Sequence, residues 1–398
     1  MDEFILIGLD GGASKVLAQK VEVLTNPLRF TAVKPTVEVS YRSSDKFNPD
    51  FKPIPLNEQL KDLQDKRIRP SKAEQQQEEA ILDSFVKVLK TICSQQSNTP
   101  ELLLGVGMPG LKTQRKRGIA AMANGPRMPN FLSHLEARLE KAGLPTVQKV
   151  PRLGSDADYC GLGERYGQDG AFRGVDNALY IGVGTGIADA MMLSGRLIPF
   201  DEARDWIAKT WEILDDDGRS LEVSLSAPGI QQNYANKLGM SLENLMRRKI
   251  YPWQIYELAK DQDPVAMEVV EQVAQKLSSL IYQRIVTLSQ GDQGTKLVKR
   301  DRRLNPDHPY RGMVFERIVI GQRLGEIWEF EDFKHLLRNK VKSRLASLIQ
   351  HSTVLPKSIK DAYLTSNKRL PEELIVGSQL RHSAALGAAI DAYLHWAE

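Results

Sequence analysis

Cysteine is nearly absent from this 398-residue chain: only Cys93 and Cys160 occur. Two cysteines exclude a disulfide framework and an all-cysteine zinc site, and they fit a reducing cytoplasm. Histidine is scarce too, with six in all and none between His134 and His308. No uncharged apolar run approaches the roughly 18 residues of a membrane span. The start, Met1-Asp2-Glu3, is acidic and leads into a short apolar run, so no secretory signal is expected. Charge of one sign is also lacking: 54 Lys and Arg against 50 Asp and Glu leave +4. That balance calls for neither nucleic acid nor a membrane surface as partner.

What is present is a soluble globular composition, 41% hydrophobic and 26% charged, at a length that suggests two or three domains. Short apolar runs bounded by glycine predict buried strands at 4–9, 101–106, 177–183, 317–320 and 373–376. Returning strands are expected at 16–23 and 188–193, with more strand over 31–41 and a short one at 147–150. Helical periodicity predicts helices over 79–94, 130–142, 203–213, 227–237, 241–248, 252–260, 263–290, 331–350 and 383–396. Residues 43–57 read as a loop, and the polar stretch 60–80 as a solvated helix or a mobile insertion. The basic stretch 291–311 reads as a surface loop, with phosphate or polyanion binding as the alternative.

Two segments share one plan, 7–23 (IGLDGGASKVLAQKVEV) and 178–193 (ALYIGVGTGIADAMML): strand, glycine turn with a small hydroxyl residue, strand. The echo suggests a duplicated architecture and a cleft with one loop on either side. Glycine lets backbone N–H groups approach a ligand, and successive N–H groups in such turns form anion-binding concavities. Ser14 and Thr185 add hydroxyl donors, and Asp10 stands where a carboxylate can hold hydrated Mg²⁺ against phosphates. The alternative for either segment alone is an ordinary tight turn. Asp156, after Ser155 and before a predicted helix, reads either as a helix N-cap or as a general base that accepts the proton of an attacking hydroxyl. Asp158 competes for that role.

Taken together and in order, these segments resemble the ROK (repressor, open reading frame, kinase) family of sugar kinases in the actin/hexokinase/Hsp70 superfamily. Asp10-Gly11-Gly12-Ala13-Ser14-Lys15 resembles the family's D-x-G-G-T-K phosphate loop. Gly105 to Gly110 resembles its G-x-x-x-P-G turn, and Asn124-Gly125-Pro126-Arg127-Met128-Pro129 its N-x-P-N-L-P sugar-side loop. Ser155-Asp156-Ala157-Asp158 through Leu162-Gly163-Glu164 is similar to N-D-A-N through L-G-E, whose first Asp is the catalytic base. Gly182 to Gly186 resembles the second phosphate hairpin, and Leu221-Glu222 with Ser226 the L-E-x-x-x-S stretch. Ile318 to Gly321 resembles the adenosine-side strand, and Ala385 to Ala389 the closing helix. Where the family carries E-x-G-H and a cysteine-rich zinc cluster, this chain reads Asp205-Trp206-Ile207-Ala208. Neither zinc nor the sugar-ligating His is therefore expected. The D-x-G-G-[ST]-K turn also resembles that of zinc-free relatives of the BadF/BadG type.

The resemblance implies a two-lobed, ribonuclease-H-like α/β fold of duplicated domains around a central nucleotide cleft. The expected lobes are 1–125, joined by the final helix 381–398, and 126–380. The implied activity is ATP- and Mg²⁺-dependent phosphorylation of a sugar hydroxyl. Gly11, Gly12, Ala13, Ser14, Lys15, Gly184, Thr185, Gly186 and Gly321 would bind nucleotide, and Asp10 the hydrated Mg²⁺. Asp156 would act as base; Asn124, Ser155, Asp205 and Glu222 would hold the sugar with it. Trp206 or Trp211 could stack on a sugar face, although packing is the simpler role for either. Many relatives are dimers, so a homodimer is a further expectation. The alternatives are a non-catalytic nucleotide- or sugar-binding pseudokinase and an ATPase coupled to another protein's chemistry.

Overall fold

The computed structural model describes residues 4–94, 100–291, 297 and 304–398. The chain divides into two compact units, 1–170 with 382–398, and 171–381. The expected boundary at 125 falls inside the first unit, because the strand and helix that follow it belong to the first unit's sheet and its packing.

That unit opens with β1 (Phe4–Gly11), β2 (Lys15–Thr25) and β3 (Leu28–Ser40), an antiparallel meander. Then come α1 (Leu56–Gln64), α2 (Lys72–Cys93) and β4 (Glu101–Gly107), followed by the small ribbon β5 (Leu111–Lys112) and β6 (Ile119–Ala121). α3 (Phe131–Lys141), β7 (Leu153–Gly154) and α4 (Asp156–Tyr166) complete the run. The sheet order is β3-β2-β1-β4-β7, with β4 and β7 parallel to their neighbours. The polar stretch 60–80 is helical. Ser71 and Glu74 form a reciprocal capping box, so α2 starts well before the apolar periodicity does. The strand expected at 147–150 reduces to backbone bonds that Leu102 makes with Pro145 and Val147.

The second unit repeats the scheme. β8 (Ala178–Val183), β9 (Ile187–Leu193) and β10 (Arg196–Ile198) form the meander. Helices α5 (Leu221–Leu225), α6 (Ala227–Lys237), α7 (Leu242–Arg247), α8 (Pro252–Lys260) and α9 (Pro264–Gln290) follow. β11 (Arg317–Gly321), α10 (Gln322–Glu329), α11 (Arg338–His351), α12 (Lys357–Tyr363) and β12 (Ile375–Gly377) close the unit. The order β10-β9-β8-β11-β12 matches the first sheet strand for strand, so the sequence echo is a structural duplication. The helix expected at 203–213 is a set of turns ending in the 3-10 turn Thr210–Glu212. There the Thr210 N–H and hydroxyl both go to the buried Asp189 carboxylate, which also pairs with Arg284, and helix is forgone. The helix expected at 331–350 begins only at Arg338, behind the 3-10 turn Glu331–Phe333. Of the basic stretch 291–311, residues 292–296 and 298–303 lie outside the described residues. Among the described residues no helix is long and apolar enough to cross a membrane.

The chain returns to the first unit with α13 (Ser383–Ala397), buried along most of its length. Its backbone lies directly on the sheet. A Cβ on Gly8 would stand 1.7 Å from the Ala385 carbonyl oxygen, and one on Gly105 the same distance from that of Ala388. Against α4, a Cβ on Gly387 would meet the Tyr159 carbonyl at 1.9 Å. Asp391 locks the contact by accepting from Arg152 and from the Tyr159 hydroxyl. A backbone atom cannot rotate away, so Gly105→Ala is expected to lower stability by about 1–3 kcal/mol or more, read as a shift in the urea midpoint. Gly12→Ala, whose Cβ would meet only Lys15 O at 3.6 Å, should shift it far less.

Candidate functional site

In the first unit the candidate residues gather where β1 ends. Asp10 is the penultimate residue of β1, opposite Leu17 in the hairpin and Gly107 in β4. The turn beyond it is closed by Gly12 N–H donating to Lys15 O at 2.8 Å. Tyr41, only 1% exposed, donates its hydroxyl to Gly12 O at 3.1 Å and its N–H to Ser14 O at 3.0 Å. A buried aromatic side chain thus shapes the turn from beneath, a role that the sequence motif does not reveal. Ala13, Ser14 and Lys15 are exposed, and Lys15 Nζ pairs with Glu38 at 2.5 Å.

The glycines of the motif divide by function. A Cβ on Gly11 would collide with the Phe85 ring at 2.8 Å, so Gly11 serves packing. Gly12 has room for a Cβ, with Lys15 O the nearest atom at 3.6 Å, while its own N–H and C=O are taken by Lys15 and Tyr41 in closing the turn.

Asp156 is the first residue of α4. Ser155 is the N-cap, without a side-chain capping bond, so the capping alternative for Asp156 does not hold. The Asp156 carboxylate makes no hydrogen bond or ion pair among the described residues, yet its charge reaches Asp10. Asp158 stands instead in the field of Arg152 and Tyr159, within the α4–α13 packing. Burial, then the charge of Asp156, push the Asp10 carboxyl up to about 7, with Lys15 opposing. Burial and the Asp10 charge also raise the Tyr41 hydroxyl. Two oxygen-donor carboxylates within electrostatic reach of one another, neither held in an ion pair among the described residues, suit a hard divalent ion such as Mg²⁺ that keeps most of its waters. Among the described residues no group of three His, Cys, Asp or Glu is placed to hold a metal.

Asn124 is exposed on the loop after β6. Its neighbour Arg127, 2% exposed, is bound by Glu74 and Asp62. Burial alone would raise Glu74, but the bonds from Arg127 and from two backbone N–H groups outweigh it and hold the carboxyl low.

In the second unit the β8–β9 turn is closed by Gly184 N–H donating to Gly186 O at 2.9 Å. Thr185 at its tip is exposed. Glu222 on α5 accepts from Ile187 N–H at 3.2 Å, and Ala227 N–H donates to Gly184 O. The structure therefore joins Glu222 to the second hairpin. Gln322, in the left-handed region at φ 57°, begins α10 beside Val183, and its carboxamide fills the space over Gly184. Gly321 packs on the Tyr180 ring, where a Cβ would stand 2.2 Å from the hydroxyl. Asp205 is exposed on a turn and makes no hydrogen bond or ion pair among the described residues. Trp206 is a core residue against His308 and Tyr310, and Trp211 is partly exposed.

No protein-family model matches the chain, and no curated protein matches it by sequence. Solved structures do. A ROK family glucokinase from Streptomyces griseus, in complex with glucose and AMPPNP, superposes with a TM-score of 0.59 at 15% identity, over 98% of this chain and 99% of that one. The fold is that of the ROK-family sugar kinases. The ROK hexokinase from Thermus thermophilus gives 0.54 at 16% identity over 99% of both chains. A ROK family transcriptional regulator, homologous to the E. coli MLC protein, gives 0.53 at 15%, over 98% of this chain and 78% of that one. The ROK fold thus occurs in kinases and in regulators, and the choice between them rests on the site residues.

Asp10 also makes a measurable prediction. Its folded-state pKa lies above the ordinary 3.8, so the stability linked to it is full below about pH 4 and is lost as pH rises through about 7. Urea unfolding between pH 4 and 8 should show that fall in the wild type and not in Asp10→Asn, and Asp156→Asn should move it to lower pH. Parallel profiles would contradict the carboxylate pairing.

Proposed function

We propose that this protein transfers the γ-phosphoryl group of ATP to a hydroxyl of a sugar, with Asp156 as general base. The observation that carries the reading is the Asp156 carboxylate, free of hydrogen bonds and ion pairs among the described residues, at the start of α4 and within electrostatic reach of Asp10. A carboxylate kept only for structure would be capped or paired, as Asp391 and Glu74 are. The glucose and AMPPNP bound to the Streptomyces griseus enzyme support the substrate class.

In this reading Ala13, Ser14 and Lys15 of the first turn, and Thr185 and Gly186 of the second hairpin, supply N–H groups and hydroxyls to the phosphates, Gly12 and Gly184 shape the two turns, and Gly321 lies on the adenosine side. Gly11 supports the turn from within the core. Asn124, Ser155, Asp205 and Glu222 hold other hydroxyls of the acceptor. Asp156 orients the reacting hydroxyl and takes its proton as the oxygen attacks the γ-phosphorus. The bond from that phosphorus to the bridging oxygen breaks, and ADP leaves with the electron pair. Asp10, through water, would hold the Mg²⁺ that neutralises the charge building on the phosphates.

A second reading, binding without turnover, is favoured by one observation: Trp206, next to the exposed Asp205, is committed to the core and offers no acceptor contact. An ADP-release screen across hexoses, N-acetylhexosamines and polyols separates the two. A kinase gives acceptor-dependent ADP, and Asp156→Asn should then lower kcat by about 10²–10⁴ while ATP still binds. Full transfer by that variant would exclude Asp156 as the base, and calorimetric binding without turnover would favour the second reading.

A further inference from the structure

The segment 43–80, to which the sequence assigns no role, is built into the loop that carries Asn124. α1 buries Gln59 completely, and its carboxamide grips Met122 twice: Met122 N–H donates to Oε1 at 2.8 Å, and Nε2 donates to Met122 O at 3.0 Å. Nε2 also reaches Ile54 O at 2.6 Å. Past the loop, Glu74 takes three bonds from Arg127: from Nε at 2.8 Å, from one terminal nitrogen at 2.9 Å and from the backbone N–H at 3.1 Å. The other terminal nitrogen donates to Asp62 at 2.6 Å, and Arg69 O accepts a further bond. Ala123 and Asn124 are thus the exposed residues of a short loop pinned at Met122 and at Arg127.

We infer that Gln59 and the Glu74–Arg127 pair are positioning residues for the acceptor side, and that segment 56–74 sets acceptor specificity by fixing where Asn124 can reach; this rests on Asn124 as an acceptor ligand. Stability alone is a poor reason for the arrangement, since a buried ion pair is often no more stable than well-packed hydrophobic residues in its place. What such a pair supplies is direction. Arg127 has Nε and both terminal nitrogens bonded and two carboxylates against its one charge, so it has little to offer an anionic acceptor. The loop presents a neutral carboxamide, which fits an uncharged sugar better than a phosphorylated or acidic one.

Gln59→Leu keeps the volume and removes every bond to Met122. Two measurements follow: amide exchange over 122–127, and ADP release with D-glucose, D-mannose, N-acetyl-D-glucosamine and N-acetyl-D-mannosamine at saturating MgATP. Exchange at 122–127 should quicken while α9 is unchanged. KM for the sugars that the wild type accepts should rise on the order of tenfold, the effect of about 1.4 kcal/mol, with KM for ATP within about twofold. Gln59→Glu, which still accepts from Met122 N–H, should lie between. A merely structural role would lower activity with the folded fraction and leave KM alone, and that result, or unchanged exchange, overturns the inference while the kinase reading stands. A wild type that releases ADP with no hexose, N-acetylhexosamine or polyol overturns the acceptor role together with the kinase reading.

Discussion

The first unit depends on contact between backbones. α13 lies on β1 and β4 so closely that Gly8 and Gly105 have no room for a side chain, and Gly387 brings it equally near α4. This approach fixes α4 against the sheet, and therefore the start of α4 against the end of β1. Asp10 and Asp156 feel one another because of it. The Arg152–Tyr159–Asp391 bonds then hold the helices in register. Packing tolerance here is measured in tenths of an ångström, since carbonyl oxygens have no rotamers to yield.

The treatment of negative charge differs across the same unit. Glu74 and Asp391, both buried, are matched to arginines at hydrogen-bonding distance. Asp10 and Asp156 are not, and Asp10 bears the charge of Asp156. Uncompensated carboxylates in a partly enclosed place cost folding energy, and a fold retains them where a ligand supplies the missing positive charge. That contrast singles out the end of β1 more sharply than the glycines do, because Gly11 and Gly321 answer to internal packing and the backbone of Gly12 is spent on closing its own turn.

Much of this was legible in the sequence, for reasons of chain locality. The two hairpins are continuous segments with a strand period and glycine turns, and their duplication reads directly from 7–23 and 178–193. Asp156 stood out because the strand, the N-cap and the helix lie within a few residues. Local periodicity misled where side chains diverted backbone bonds, as Asp189 does at Thr210. It was silent where partners are distant: Gln59 lies 63 positions from Met122, and Glu74 lies 53 from Arg127. Nothing in a polar stretch such as 59–80 announces that the side chains of Gln59 and Glu74 end up fully interior. The domain boundary is of the same kind, since the pairing of β7 with β4, the packing of α3 on α2 and that of α4 against α13 together assign residues 126–170 to the first unit.

That the chain's last helix completes its first unit has a consequence for biosynthesis. β1 and β4 leave the ribosome early, but the surface that α13 covers stays bare until residues 382–398 emerge. Unit two, contiguous from 171 to 381, is made in between, which at ordinary elongation rates takes about 10–40 s. For that interval a nascent half-molecule displays a glycine-notched apolar face with no cover. The unit begun first is therefore the one finished last.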